Sequence, residues 1–342
     1  MKLRLIEKLE KIRSDSGCRE FIIADAKDAD MAWGIDSPGF VHGPAASDRH
    51  VRRTMEQFRQ DIRDIVHQGE IDILLASVST MSRLAFEEHL FDQSQVTPAI
   101  RANDTTDIWC VRHAAYRNEP SRPFATCTLE EAQFGGRPVD NKAKPLINLG
   151  LYSMTFNNQV DADMASLTAF REFRRKASEC GFRYFLEVFA PNVNCGIAPE
   201  NIPEFINDSI VRSLAGIARS NWPEFLKIPY FGPRYLEELV SYDRSLVVGI
   251  LGGSSGTTHD AFKLIADARR HGARVALYGR KIKDAEHQLT FISMLRAIVA
   301  GNISPAEAVR AYHGELQKLN IAPRRTLTQD MELTDATLSY SR

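Results

Sequence analysis

The sequence predicts an α/β fold: a single (β/α)8 barrel of the TIM type, with an N-terminal helix and a C-terminal extension. Three observations carry that expectation. Short β-prone runs alternate with longer helix-like segments, eight such runs occur, and polar residues gather at their C-terminal ends. Strict alternation implies a parallel sheet, because each parallel crossover needs a connection of its own. The chain has 342 residues, 44% hydrophobic and 25% charged, an ordinary globular composition, and barrels with insertions reach this length as one domain. The barrel is expected over 1–320, including a helix at 1–14, and an exposed extension over 321–342. An open doubly wound sheet is the alternative, weakened because no GxGxxG run follows the first strand.

The expected strands are FIIAD (21–25), IDILLASV (71–78), DIWCVRHA (107–114), LINLGLYS (146–153), RYFLEVF (183–189), FLKIPY (225–230), LVVGILGG (246–253) and RVALYG (274–279). Helical patterns lie between them, among them VRRTMEQFRQDIRDIVHQG, LTAFREFRRKASECG and HDAFKLIADARRHG, each closing on glycine. At the start, MKLRLIEKLEKIRSDSG interleaves apolar residues with charges, the pattern of an amphipathic helix and not of a leader peptide. Two loops, 33–47 and 117–123, follow strand ends where barrel enzymes place substrate contacts.

Several function classes recede. The formal net charge is −1, so no global field recruits nucleic acid or an anionic membrane, and no run of about 18 apolar residues exists. Five cysteines, an odd number without a CxxC pair, point to a reduced, cytoplasmic protein with neither a disulfide framework nor a zinc site. None of the nine histidines forms a close ligand pair, so no metal and no cofactor are expected.

The polar residues at the strand ends are Asp25, Ser77 with Ser79, Tyr152, Glu187, Lys227, the run Gly252–Gly253–Ser254–Ser255–Gly256, and Gly279–Arg280. Glycines let a backbone approach a ligand and present N–H groups, and the helix that SSGTTHDAF opens offers partial positive charge. A phosphate site at Gly252, Gly253, Ser254, Gly279 and Arg280 is therefore expected, with His259 able to touch the anion; two ordinary glycine turns are the bland alternative. In FLKIPYFG the side chains alternate, so Phe225 and Lys227 share one face while Leu226 and Ile228 share the other. The apolar pair suits the outer layer, which turns Lys227 into the barrel mouth. There desolvation favours the free amine, which can attack a carbonyl and form a Schiff base without a metal. A structural lysine paired with Asp25 or Glu187 is the competing expectation.

With FIIADAKD, FLEVF, FLKIPYFGP, LGGSSGTTHDAF and ALYGRKI, the chain resembles the class I, Schiff-base aldolases: archaeal-type fructose-bisphosphate aldolase, tagatose-bisphosphate aldolase and, more remotely, deoxyribose-phosphate aldolase. The resemblance is closest over 182–313. It implies that Lys227 forms the imine, that Asp25 sits beside the reacting carbons, and that Gly252, Gly253, Gly279 and Arg280 hold a phosphate. Glu187 resembles the acid/base glutamate of the tagatose branch. Where that branch has a strand-4 lysine this chain has Asn148, and FLEVFAPN lacks the tyrosine motif of the archaeal branch. Tyr152 is the candidate to replace that acid/base function. Lys27 and Ser77 are further candidates for substrate contact, and Arg112, Arg117 or Lys27 for a second anion. The expected activity is metal-independent cleavage or formation of a phosphorylated ketose, giving an aldehyde and a dihydroxyacetone-phosphate-like fragment. A transaldolase-like or condensing enzyme and a non-catalytic sugar-phosphate sensor are the alternatives, and a homo-oligomer is left open.

Overall fold

Eight parallel strands close into a barrel in a computed structural model that describes residues 3–15, 17–40, 51–136, 144–253 and 256–338. They are β1 (Ile22–Lys27), β2 (Ile73–Ala76), β3 (Thr97–Arg101), β4 (Leu149–Thr155), β5 (Arg183–Phe189), β6 (Leu226–Ile228), β7 (Val248–Leu251) and β8 (Val275–Tyr278). Each pairs with its neighbours in sequence, and β8 returns to β1 through Ile22↔Val275. The long helices are α1 (Arg4–Ser14), α2 (Met55–Gln68), α3 (Val160–Glu179), α4 (Ile202–Ala215), α5 (Pro233–Tyr242), α6 (Thr258–Arg270), α7 (Gln288–Ala300) and α8 (Pro305–Lys318). Their starts are written into the sequence. Thr54 with Gln57 and Ser304 with Glu307 form capping boxes, and Gly69 ends α2 in the left-handed region at φ 70°.

Two apolar layers follow from strand alternation. Ile22, Ala24, Ile73, Leu75, Ala99, Leu151, Phe185 and Phe225 fill the barrel interior, whereas Ile23, Leu74, Ile100, Tyr152, Leu186 and Leu226 pack outward among the helices. Leu5 and Leu9 of α1 join the inner layer, so the amphipathic N-terminal helix stoppers the end where the strands begin. That leaves the other end, where the strands finish, for a site.

One strand differs from expectation. The third strand is TPAIR (97–101), and residues 107–114 belong to the excursion after it, with His113 in the left-handed region at φ 67°. TPAIR is short and carries Pro98, which argues against a central strand, whereas DIWCVRHA is longer and rich in apolar residues. The loop containing 117–123 still follows β3, and Asp104–Thr105 pairs there with Pro123–Phe124.

The segment after 320 is only partly an exposed extension. Most of its side chains are exposed, but Asp330 and Leu338 are buried, at 4% and 2% exposure, and the segment is tied to α6 and α8. Ser254, Ser255 and residues 41–47 of the first loop lie outside the described residues. Among the described residues no helix is long and apolar enough to cross a membrane.

Candidate active site

Lys227 faces the barrel interior, as the alternation in FLKIP requires. Its neighbours across the sheet are Glu187 on β5 and Gly249 on β7. Its Nζ lies 2.5 Å from Glu187 Oε1, with both side chains nearly buried. The other carboxylate oxygen accepts a hydrogen bond from Ser153 Oγ at 2.6 Å, and Ser153 Oγ accepts one from Arg101 Nη2 at 3.0 Å. Arg101 Nη1 donates to Asp28 Oδ2 at 2.8 Å. Five strands' ends thus carry one continuous chain of polar contacts, Lys227–Glu187–Ser153–Arg101–Asp28. Asn103 fixes its centre by bonding both backbone groups of Ser153, at 2.7 and 2.8 Å.

Arg101 is the pivot. Burial opposes its charge, but Asp28, Glu187 and Asp104 offset this and hold the guanidinium above its ordinary value. Asp104, 3.7 Å from Arg101 Nε, fares differently. Burial, with repulsion from Asp28 and Asp30, pushes its carboxyl up to about 6 despite the guanidinium. Arg101 and Lys227 together face three carboxylates, one more than they can neutralise.

Lys227, Glu187, Arg101 and Asp28 line a cavity of about 390 Å³ that also takes in Gly252, Gly253, Gly279, Arg280 and Arg117, a volume suited to a small metabolite. A Cβ on Gly252 would lie 2.3 Å from the Tyr278 ring, and Gly253 has φ 61°, so both positions require glycine. The helix behind them is occupied differently from expectation. At the start of α6, Thr258 N–H donates to Asp330 Oδ1 at 2.8 Å, and His259 Nδ1 lies 2.7 Å from the Met331 carbonyl. The C-terminal segment thus takes the start of α6 and His259 is turned to it, while Arg117, Arg280 and Lys283 are the cations on the cavity wall beside the glycine run.

Four expected site residues lie elsewhere. Ile22, Ala24 and Ala26 face the barrel interior or mouth, so Asp25 and Lys27 point outward, fully buried and paired at 3.2 Å. Lys27 Nζ donates to Gln288 Oε1 at 2.6 Å, and burial pushes the Asp25 carboxyl up to about 6 against the pull of Lys27. Neither lines the Lys227 cavity. The carboxylate at the mouth is Asp28, three residues on, because β1 continues to Lys27. Ser77 caps the helical turn Val78–Met81 and donates to Asp30 Oδ2 at 2.5 Å, beside a separate groove. Tyr152 stacks outward on Phe170 and Phe173, at 5.1 and 4.5 Å, and burial pushes its phenol up. The inward position at the end of β4 is Ser153, not the face shared by Asn148 and Tyr152, and Asn148 bonds Gln133 before the strand begins.

Asp28, Arg101 and Ser153 were missed in the sequence. Asp28 was within reach, since FIIADAKD ends on it. Arg101 is hidden by the expected third strand at 107–114, and Ser153 by taking its neighbour Tyr152 as the polar end of β4.

No protein-family model matches the chain. Over 111 residues it is 32% identical to 2-amino-3,7-dideoxy-D-threo-hept-6-ulosonate synthase 1 of Archaeoglobus fulgidus, a match covering 32% of this chain and 41% of that protein. The chain thus matches less than half the length of this relative. Among solved structures, an archaeal fructose 1,6-bisphosphate aldolase superimposes over 87% of this chain and all of its own, with TM-score 0.59 and 18% identity. A fructose-bisphosphate aldolase from Slackia heliotrinireducens covers 91% of this chain and 90% of its own, at TM-score 0.62 and 15% identity. A third, an archaeal fructose-1,6-bisphosphate aldolase with its catalytic lysine bound to a carbinolamine, covers 86% of this chain and 99% of its own, at TM-score 0.59 and 18% identity. The chain therefore resembles the archaeal class I fructose-bisphosphate aldolases and has their barrel fold.

Proposed function

We propose that this protein is an imine-forming, class I aldolase-type enzyme acting on a phosphorylated ketose or a related keto-sugar. The observation that carries the proposal is the Lys227 amine on the cavity wall with its proton acceptor 2.5 Å away. The phosphate end of the substrate would lie against Gly252, Gly253, Gly279 and Arg280, which places its carbonyl towards Lys227.

The chemistry follows from the contacts. Glu187 takes a proton from the Lys227 ammonium, and the free amine adds to the ketose carbonyl carbon to give a carbinolamine. Glu187 then returns its proton to the carbinolamine hydroxyl, which leaves as water and creates the iminium. With Glu187 again ionised, it accepts the proton of the substrate hydroxyl beyond the scissile bond. That carbon–carbon bond breaks, its electrons flow into the iminium to form an enamine, and an aldehyde departs. Protonation and addition of water release the ketone and restore the lysine. Ser153 and Arg101 keep the Glu187 carboxylate aimed at Lys227 throughout, and no metal enters these steps. Free cysteines and a sugar-phosphate substrate fit a cytoplasmic setting.

Run in the other direction, the same imine joins two carbon fragments. The relative named a hept-6-ulosonate synthase favours such a condensing or transferring enzyme as the second reading. Borohydride reduction after incubation with dihydroxyacetone phosphate and a panel of ketose phosphates tests both. The expected result is a reduced adduct mapped to Lys227 and absent from Lys227→Met. A folded protein that traps nothing from any sugar phosphate would overturn imine chemistry and leave a sugar-phosphate sensor. Product analysis with and without an aldehyde acceptor separates transfer from cleavage.

A further inference from the structure

Beside the Lys227 cavity lies a second one of about 510 Å³, between the first loop, the turn Arg280–Lys283 and the C-terminal segment. Five cations line it: Arg280, Lys281, Lys283, Arg324 and Arg325. The three acids at its wall are already engaged. Asp36 pairs with Arg52 at 2.6 Å, Asp284 with Lys283 at 2.6 Å, and Glu286 accepts from Arg324 N–H and Tyr312 Oη at 2.9 and 3.0 Å. Lys281 Nζ donates to the carbonyls of Gly256 and Thr257, at 2.8 and 3.2 Å, with Asp260, Asp330 and Glu286 close enough to favour its charge. Arg325 Nη1 lies 4.0 Å from Asp330 Oδ1, yet the five cations outnumber the three acids of the wall, which makes the cavity complementary to an anion.

The tail arginines are held in place. Asp330 accepts from Thr258 N–H and faces His313 Nε2 at 3.0 Å, while Thr334 Oγ1 donates to Asp260 at 2.6 Å. Cations thus approach from two sides, the Arg280–Lys283 turn and the strapped tail, across a volume larger than one phosphate needs. Trp33 and Phe40 supply an aromatic wall.

We infer that this second cavity binds a diphosphate-bearing ligand, clamped between the Arg280–Lys281 turn and Arg324–Arg325. Arg280 and Lys283 line both cavities, so occupancy of the second one bears on the substrate phosphate in the first. The inference stands on charge and geometry at the tail and does not require the imine chemistry.

Calorimetric titration of the full chain with inorganic diphosphate is the test, repeated on Lys227→Met so that binding is read apart from turnover. Binding at this cavity is expected in both proteins, beside any at the substrate-phosphate position of the first cavity, with orthophosphate weaker here by about tenfold or more because it engages only one side. The double variant R324S/R325S should lose about tenfold or more in diphosphate affinity, and R324K/R325K should recover part of it. Absence of diphosphate binding, or undiminished binding in R324S/R325S, overturns the inference. If R324S/R325S also raises KM for sugar phosphates, the substrate itself carries the distal anion; an unchanged KM identifies a separate ligand. Either source upholds the site. Diphosphate binding without any Lys227 adduct would retire the imine chemistry and leave this cavity standing.

Discussion

The two ends of the barrel solve opposite electrostatic problems with the same kinds of residue. At the closed end one buried carboxylate, Asp72, meets three cations: Arg4 Nε at 2.7 Å, Lys8 Nζ at 2.9 Å and Arg296 Nη2 at 3.0 Å, with Ile23 N–H at 2.9 Å. Burial opposes its ionisation, but Lys8, Arg296, Ile23 and Arg4 together offset this and hold the carboxyl below its usual value. At the open end two buried cations, Arg101 and Lys227, face the three carboxylates Asp28, Asp104 and Glu187, and Asp104 is pushed up to about 6. The closed end is saturated and serves stability. The open end is left with competing charges, the condition in which protons can move between groups at little cost.

Exchanging the two ends' responses to mutation would break this comparison. Lys227→Met should lower turnover by at least about 10³-fold while the protein still unfolds cooperatively; activity near that of the natural chain would remove Lys227 from the mechanism. Asp72→Asn should do the reverse, costing about 3 kcal/mol in urea unfolding while borohydride trapping at Lys227 survives in the folded fraction. Glu187→Gln sharpens the mouth itself. Turnover should fall by roughly 10²–10⁴-fold, with adduct formation slowed but not abolished, because the lysine remains.

Smaller effects separate the ends by pH. The Asp104 carboxyl titrates at about 6 in the folded protein against 3.8 for a free aspartate, so the folded state holds a proton that the unfolded chain has released. The stability that Asp104 contributes therefore falls as pH rises from about 4 to about 6 and levels off above. Asp72 has the opposite sign: its contribution is present above 3.8 and is lost as pH falls through its lower folded value. Asp104→Asn should flatten part of the slope between pH 4 and 6, measured by urea unfolding at several pH values, while Asp25, also at about 6, retains the rest. An unchanged slope would mean that Asp104 ionises freely. Least affected should be Tyr152→Phe, since the phenol faces α3. Turnover should stay within about twofold and stability within about 0.5 kcal/mol, and a large loss of activity would return Tyr152 to the mouth.

Much of this was legible in the sequence, and the failures share one cause. The alternation of strands and helices, the inward Lys227 and Glu187, and the two glycine runs that line the Lys227 cavity could all be read. Both faces of a parallel barrel strand are buried, so hydrophobicity does not reveal which residues face inward. Lys227 disclosed its parity because Leu226 and Ile228 claimed the apolar outer layer. Asp25 and Lys27 gave a false reading because they enter that layer as a neutralising pair, with Gln288 supplying a further partner. At β4, Tyr152 was mistaken for a mouth residue because a phenol packs equally well in either layer. The strap over α6 left no sequence signal, since Asp330 and Thr334 find their partners only once α6 and α8 lie side by side.

The arrangement around Asp72 also bears on time. Its side chain and those it grips come from residues 4, 8, 72 and 296, so one of these contacts spans 224 positions of sequence. Contacts that bridge so much chain come late in folding, after the intervening loops have been drawn closed. Interactions formed beyond the transition state chiefly slow escape from the native state and do little to hasten arrival. The salt-bridge hub under the barrel is therefore a latch: it governs how long a folded molecule persists.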